Sequence, residues 1–444
     1  MIDSLQKQTD FSIGEAIRPR CAPNSRIPIS RLPAELLSDV FLYVVEGGLQ
    51  NDTRFATGTF NFLQVCRHWN EVAVGFPQLW VWWVMGAFKA WPQFKSRSKD
   101  APVFLMWRRR RDCSTLDVLK DAGTPRRIRE LDLSDTYAQL ENLLGALDSI
   151  STSVTSSVRF YGTFGEKNGE HLTRFLSLPF PKLAEVDIGN FLPDPSSSIF
   201  TTSNLTSLKL SLSYKDKGRY TRSQFSNILR HHPNLRQLSL QQGAIPPVEK
   251  SGAPGPIFLP RLVDLTLYGT ESVIAGFIDL VSISSLLYNI VIHFSYTSDP
   301  VLISTIKRIL TEYCYQGPDY PRKVNNLTIS SDPLGKLSFD AGAPSTPALN
   351  PAFNLNLRFH AFGHALARDV VPLFPLEHVR EFAVVGLYLS TGFWRRTLRK
   401  MNNLSLLWLN GVDVGLTLDP LNPNCGGVYR EATNAIFTHS RVHS

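Results

Sequence analysis

Three groups of residues in this sequence carry side chains able to do chemistry. His231-His232 is the only adjacent histidine pair, and paired imidazoles can ligate metals or move protons near neutral pH. The pair stands before Pro233, where a helix must end, so hydrogen bonding to terminal helix carbonyls explains it equally well. The five cysteines, Cys21, Cys66, Cys113, Cys314 and Cys425, are odd in number and widely spaced with no CxxC pair. That pattern supports neither a disulfide framework nor a zinc site and suits a reduced, intracellular chain. The third group is the run Trp107-Arg108-Arg109-Arg110-Arg111 with Trp82, Trp83 and Trp91 nearby. Such a run could serve nuclear import or stack single-stranded bases. Arginine stems packed over tryptophan faces at a strand end explain it without a ligand. No GxGxxG, P-loop, GxSxG or HExxH motif occurs, and acidic residues show no paired spacing for acid–base work. The residues therefore assign no catalytic, cofactor or metal site, and the chain reads as a non-enzyme.

Composition bounds the elements that could carry these groups. A chain of 444 residues with 43% hydrophobic content exceeds one ordinary core, which implies two or more units or one extended solenoid. The net charge of +8 is concentrated: Lys89 to Glu130 holds twelve Lys/Arg and five Asp/Glu, leaving +7 there. A nucleic-acid surface spread over the whole protein is not implied. The N-terminus is polar and no run of about 18 apolar residues occurs, so neither a signal peptide nor a membrane span is expected. N-x-S/T sequons stand at Asn51, Asn204, Asn326 and Asn403. At the last three the Asn precedes a periodic Leu, so repeat chemistry accounts for them without secretion.

Residues 1–26 read as a flexible segment and 27–80 as a small helical domain. Pro33 suits the start of a helix and Glu35 the positive end of its dipole. Leu36, Leu37, Val40, Phe41, Val44 and Val45 then form one apolar stripe, which Gly47-Gly48 should end. Phe62, Val65, Cys66, Trp69, Val72, Ala73 and Phe76 form a second stripe, closed by Gly75 and Pro77. Two short amphipathic helices bury little alone and need each other, a third helix or a partner.

These blocks resemble the F-box. The matching residues are Leu32-Pro33, Glu35-Leu36-Leu37, Val40-Phe41, Val65-Cys66-Arg67, Trp69 and Pro77-Gln78-Leu79-Trp80. The following Arg97-Ser98-Lys99-Asp100-Ala101-Pro102-Val103 and Leu105 look like the segment after the F-box in fungal, basidiomycete-type F-box domain-containing proteins. The gap from Glu46 to Thr59 is longer than in the shortest members. The resemblance implies docking onto the small adaptor of a cullin–RING ubiquitin ligase, through it a cullin, by Leu32, Pro33, Glu35, Leu36, Leu37, Val40, Phe41, Cys66 and Trp69. Packing of an ordinary helical hairpin is the alternative role for the same residues.

Residues 81–127 read as a basic, Trp-rich connector. From 128 to 412 the phrase apolar-x-x-apolar-x-apolar recurs, as in Ile128-Leu131-Leu133, Leu205-Leu208-Leu210, Leu235-Leu238-Leu240 and Val324-Leu327-Ile329. Weaker copies fit near Val158-Phe160 and Leu355-Leu357. Helix-like stretches, among them Val273 to Leu287, lie between them, and the spacing of about 28 residues suits leucine-rich repeats. The regular Asn or Cys after the third apolar position is missing, so the expected fold is α/β, an irregular leucine-rich-repeat solenoid with parallel strands and helices on its convex side. An ordinary α/β domain is the competing fold. Ser331 to Pro351 reads as an inserted loop, and 413–444 as an irregular tail without a cap. Arg129, Lys209, Gln237 and Asp264 alternate with core positions and should face outward; they name no target. The expected function is target recognition in a cytoplasmic or nuclear ubiquitin ligase. The alternatives are a repeat scaffold acting outside a ligase and nucleic-acid association through the basic connector.

Overall fold

The structure, a computed structural model, describes residues 28–51, 60–85, 91–108, 125–147, 152–163, 170–202, 204–212, 220–247, 255–283, 287–295, 301–314, 324, 326–331, 336–342, 354–387 and 389–410. The leading segment 1–26, Arg109–Arg111 and the tail 413–444 lie outside these residues. The chain is mixed α/β and divides into two compact units, Met1–Lys182 and Leu183–Ser444.

The first unit opens with helices α1 (Ala34–Asn51) and α2 (Arg67–Gly75) and then alternates strands and helices. Its strands are β1 (Trp82–Met85), β2 (Val103–Arg108), β3 (Ile128–Thr136) and β4 (Ser157–Thr163); its helices are α3 (Trp91–Ser98), α4 (Tyr137–Ala146) and α5 (Glu170–Leu176). The strands pair in parallel in the order β1-β2-β3-β4. Register stacks Trp83, Leu105, Leu131 and Val158 in one row, and Trp107, Leu133 and Phe160 in the next. All seven are buried. Within the stretch read as a connector, Trp82–Met85 and Val103–Arg108 are therefore strands of this sheet. Val103, Leu105 and Trp107 alternate inward on β2, the strand at whose end the sequence places the arginine run.

The second unit contains β5 (Glu185–Gly189), β6 (Ser207–Leu212), α6 (Arg222–Arg230), β7 (Gln237–Gln242), β8 (Ile257–Leu259), β9 (Asp264–Gly269), α7 (Glu271–Leu280), β10 (Val281–Ile283), β11 (Asn289–Phe294) and α8 (Val301–Cys314). It continues with β12 (Asn326–Ser331), β13 (Lys336–Gly342), β14 (Asn354–Phe362), α9 (Gly363–Val370), β15 (Glu381–Val385), α10 (Thr391–Leu398) and β16 (Leu406–Asn410). Within it the strand order is β5-β6-β7-β9-β11-β14-β13-β12-β15-β16, while β8 and β10 form a separate parallel pair. The second apolar position of successive phrases falls in one row: Val186, Leu208, Leu238, Leu265, Ile290 and Leu355. The third falls in another: Ile188, Leu210, Leu240, Leu267, Ile292 and Leu357. Every one of these side chains is at most 1% exposed, and full burial of such a residue contributes about 1.5–3 kcal/mol.

A backbone device recurs at the starts of β6, β7, β9, β11 and β16. The Ala184 carbonyl accepts from both Thr206 and Ser207, Thr206 from Arg236 and Gln237, Arg236 from Val263 and Asp264, and Val263 from Tyr288 and Asn289. Arg380 does the same for Ser405 and Leu406. One carbonyl thus satisfies two amides of the next strand's start, using both lone pairs. The Thr206 and Ser405 hydroxyls donate to the same carbonyls, at 3.1 and 3.0 Å. Two of the sequons therefore have a structural use for their hydroxyl residue.

Three local expectations change. Ser331 to Pro351 is not simply a loop, because Leu337, Phe339 and Ala341 alternate inward and form β13, antiparallel to both neighbours. With β13 inserted, β14 takes the place beside β11, and β12, the next phrase in sequence, lies three places from it. The sheet is therefore mostly parallel, with one antiparallel strand. The helix expected over Val273 to Leu287 ends at Leu280, where Val281 turns extended to pair with Ile257. Helix α1 runs through Gly47-Gly48 to Asn51.

Candidate functional site

Helix α1 begins when Leu37 N–H donates to the Pro33 carbonyl at 3.1 Å. Leu37, Phe41 and Val45, spaced four apart, are at most 1% exposed. The Phe41 ring stacks on Phe62 at 4.4 Å and meets Trp69 at 5.2 Å. Behind them Phe60 and Phe94 pack on Trp80 at 5.3 and 5.1 Å, and the Trp80 indole donates to the Ala73 carbonyl at 2.8 Å. An aromatic core thus holds the two helices together.

The apolar stripe read from the sequence is really two. Leu36, Val40 and Val44 follow the same four-residue step one position earlier, and they point outward at 51%, 40% and 45% exposure. Tyr43 at 80% widens this outer stripe. Ile29 before the helix and Val65 before α2 are exposed as well. Charged Glu35, Asp39 and Glu46 are exposed on the same helix, which gives the stripe a polar border of the kind seen around interfaces.

The structure separates the nine residues carried over from the F-box resemblance. Leu36 and Val40 lie on the outer stripe, with Pro33 and Glu35 exposed at the helix start. Leu37 and Phe41 are buried in the module, where their work is packing. Leu32, Cys66 and Trp69 are half-buried. Cys66 caps α2 in an extended conformation, and its carbonyl accepts the Asn70 N–H at 3.1 Å. Ile29, Tyr43, Val44 and Val65 are further exposed apolar residues outside that set. Val44 and Tyr43 were legible as the positions eight and seven after Leu36, the helical spacing that keeps residues on one face.

Two guanidiniums of the basic stretch are engaged within the first unit. Arg97 lies 4.3 Å from the Trp80 ring centre, and Arg127 lies 5.3 Å from that of Trp83. Arg127 donates to the Ala101 carbonyl at 2.8 Å and the Ser98 hydroxyl at 2.9 Å. Burial lowers its pKa and the nearby Asp100 opposes that. These two arginines pack on aromatic faces; the run Arg109–Arg111 lies outside the described residues.

No family model matches the chain. No curated protein matches it either.

The remaining chemical candidates are structural in their surroundings. His231 Nδ1 lies 2.6 Å from the Asn227 carbonyl oxygen, at the C-terminal end of α6. His232 is 0% exposed; burial, then the charge of His231, push its imidazole down to about 4, against a smaller pull from the Phe200 and Thr202 backbone. Among the described residues no group of three or more His, Cys, Asp or Glu could hold a metal ion. No described helix is long and apolar enough to cross a membrane. On the sheet face of the second unit, Lys209 and Gln237 are exposed, and Asp264 accepts from Gln237 Nε2 at 3.2 Å. Arg129 is exposed at the start of β3.

Proposed function

We propose that this chain is the target-recognition subunit of an SCF-type cullin–RING ubiquitin ligase, with an F-box at residues 27–80 that docks the small adaptor. One observation carries the reading: α1 presents a second apolar stripe, Leu36-Val40-Val44 with Tyr43, to solvent. An amphipathic helix of a self-sufficient module buries its apolar face, and an exposed one marks a binding surface. A helix face completed by a partner is a recurring recognition mode, and the order of the sequence blocks points to the adaptor as that partner.

The recurring apolar rows and shared carbonyls support a leucine-rich-repeat-like solenoid whose free sheet face receives the target. Such a chain acts without covalent chemistry in the cytoplasm or nucleus. It holds a target beside the ligase and raises the effective concentration there. The test is pull-down by purified adaptor. Leu36→Asp should abolish capture while the circular dichroism of the chain is retained; capture of Leu36→Asp at the wild-type level overturns the docking assignment.

A further inference from the structure

The outer face of α10 carries charge of one sign only. Phe393, Trp394, Thr397 and Leu398 are buried, with Trp394 meeting Phe382 of β15 at 6.0 Å. The exposed residues from Thr391 to Lys400 are Gly392, Arg395, Arg396, Arg399 and Lys400. Apart from the glycine, every one is a cation. The helical turn continues past Leu398, where Lys400 N–H donates to the Thr397 carbonyl at 3.1 Å. Arg395 and Arg399, and Arg396 and Lys400, are therefore neighbours at four-residue spacing, where like charges destabilise a helix. On α2 the same spacing pairs Arg67 with Glu71 at 2.7 Å. The negative end of a helix dipole is equivalent to about half an elementary charge, so four cations exceed what it calls for.

None of the four side chains makes an ion pair among the described residues. From Leu376 to Asn410 the chain holds two carboxylates, Glu377 and Glu381, against Arg380 and these four cations. Glu381 lies on the other face of β15 from α10, because its neighbour Phe382 is the residue that meets Trp394. Glu377 lies 4.0 Å from His378, and Asp369 on α9 is paired with Arg368 at 3.1 Å. The cationic face also lacks an apolar centre. Leu406 and Trp408, the exposed apolar residues nearest in the chain, lie on the opposite face of β16 from buried Leu407. Protein interfaces are depleted of charge at their core, and a helix lying on a lipid surface buries an apolar face there; α10 offers neither. No exposed aromatic ring among the described residues stands on this face to stack an unpaired base. A duplex carries its charge on the outside, one about every 1.7 Å of axis, dense enough to meet four cations within about 8 Å of helix.

We propose that the outer face of α10 binds the phosphate backbone of a nucleic-acid duplex without reading its sequence. Arg395, Arg396, Arg399 and Lys400 each meet a phosphate, and the counterions released supply the affinity. The site uses none of the residues of the basic stretch Lys89 to Glu130, and it is independent of adaptor docking.

Fluorescence anisotropy on the full chain tests it, with a labelled DNA duplex titrated over a series of salt concentrations. Wild type should bind, and two duplexes of unrelated sequence should bind alike. The logarithm of the binding constant should fall linearly with the logarithm of salt, at about 0.9 per phosphate contact. The fourfold variant Arg395→Gln, Arg396→Gln, Arg399→Gln, Lys400→Gln should therefore have a slope shallower by about 3 to 4, and Arg396→Gln alone by about 1. Arg396→Lys should keep the wild-type slope, because counterion release follows charge. Glutamine is a good helix former, so the fourfold variant should keep its circular dichroism and its capture by the adaptor. Leu36→Asp should bind the duplex as wild type does. No binding of the duplex by wild type at low salt overturns the proposal, as does a wild-type slope in the fourfold variant. Tighter binding of an oligouridylate, of an alternating Glu–Ala peptide or of phosphatidylserine vesicles, lost in the fourfold variant, overturns the choice of a duplex.

Discussion

His232 shows how a residue able to do chemistry can instead be structural. Its ring is fully enclosed at the C-terminal end of α6, and its pKa falls to about 4 from an ordinary 6.5. The unfolded chain therefore binds a proton between those values that the folded chain refuses. The stabilisation from a neutral buried imidazole is complete above pH 6.5 and lost as pH falls towards 4. Urea unfolding of the second unit should lose about 2 kcal/mol between pH 7 and pH 5, and a His232→Phe variant should lack that component. An unchanged midpoint in the wild type over this range would remove the argument. The sequence showed the histidine pair before a proline and its place at a helix end. It could not show which imidazole would be buried, because that depends on the segment around Phe200 and Thr202 folding over it.

At the scale of elements, α1 is the informative case. Its six apolar residues read as a single stripe because Leu36-Leu37, Val40-Phe41 and Val44-Val45 are adjacent pairs at helical spacing. Packing on Phe62 and Trp69 selects the second member of each pair and leaves the first outside. The two sets therefore predict opposite phenotypes. Leu36→Asp should alter stability by no more than about 0.5 kcal/mol, since it replaces a surface side chain. Leu37→Asp buries an unpaired carboxylate and should unfold the helical module, a loss of several kcal/mol. Thermal melts followed by circular dichroism distinguish them, and similar melting temperatures for the two variants would refute the assignment of faces. Strand β13 was illegible for a related reason. Its flanks are rich in Pro, Gly and Ser, and its three inward side chains acquire their meaning only from β12 and β14 on either side.

The second unit is organised as a chain of neighbours: each strand's core residues touch those of the strands beside it. Nearest-neighbour coupling predicts a position effect. Leu240→Ala removes a residue with 0% exposure between Leu210 and Leu267 and should cost about 2–5 kcal/mol. Leu407→Ala lies on β16, at the end of the strand order among the described residues, and should cost less than Leu240→Ala because among those residues a buried row flanks it on one side only, through Phe382. Denaturant midpoints of the two variants check the ordering, and equal losses would argue against a neighbour-coupled array. The recurring phrase by itself determined that strands and helices alternate and which side chains line the core, because alternate residues of a strand take opposite faces wherever it pairs. The F-box-like blocks likewise placed two helices and named their apolar residues. Only the tertiary structure decided that Trp82–Met85 and Val103–Arg108 pair into one sheet with β3, and that β14 displaces β12 beside β11. Those outcomes depend on which strand lies next to which, and pairing between segments distant in sequence is set by packing, where local composition carries no record of it.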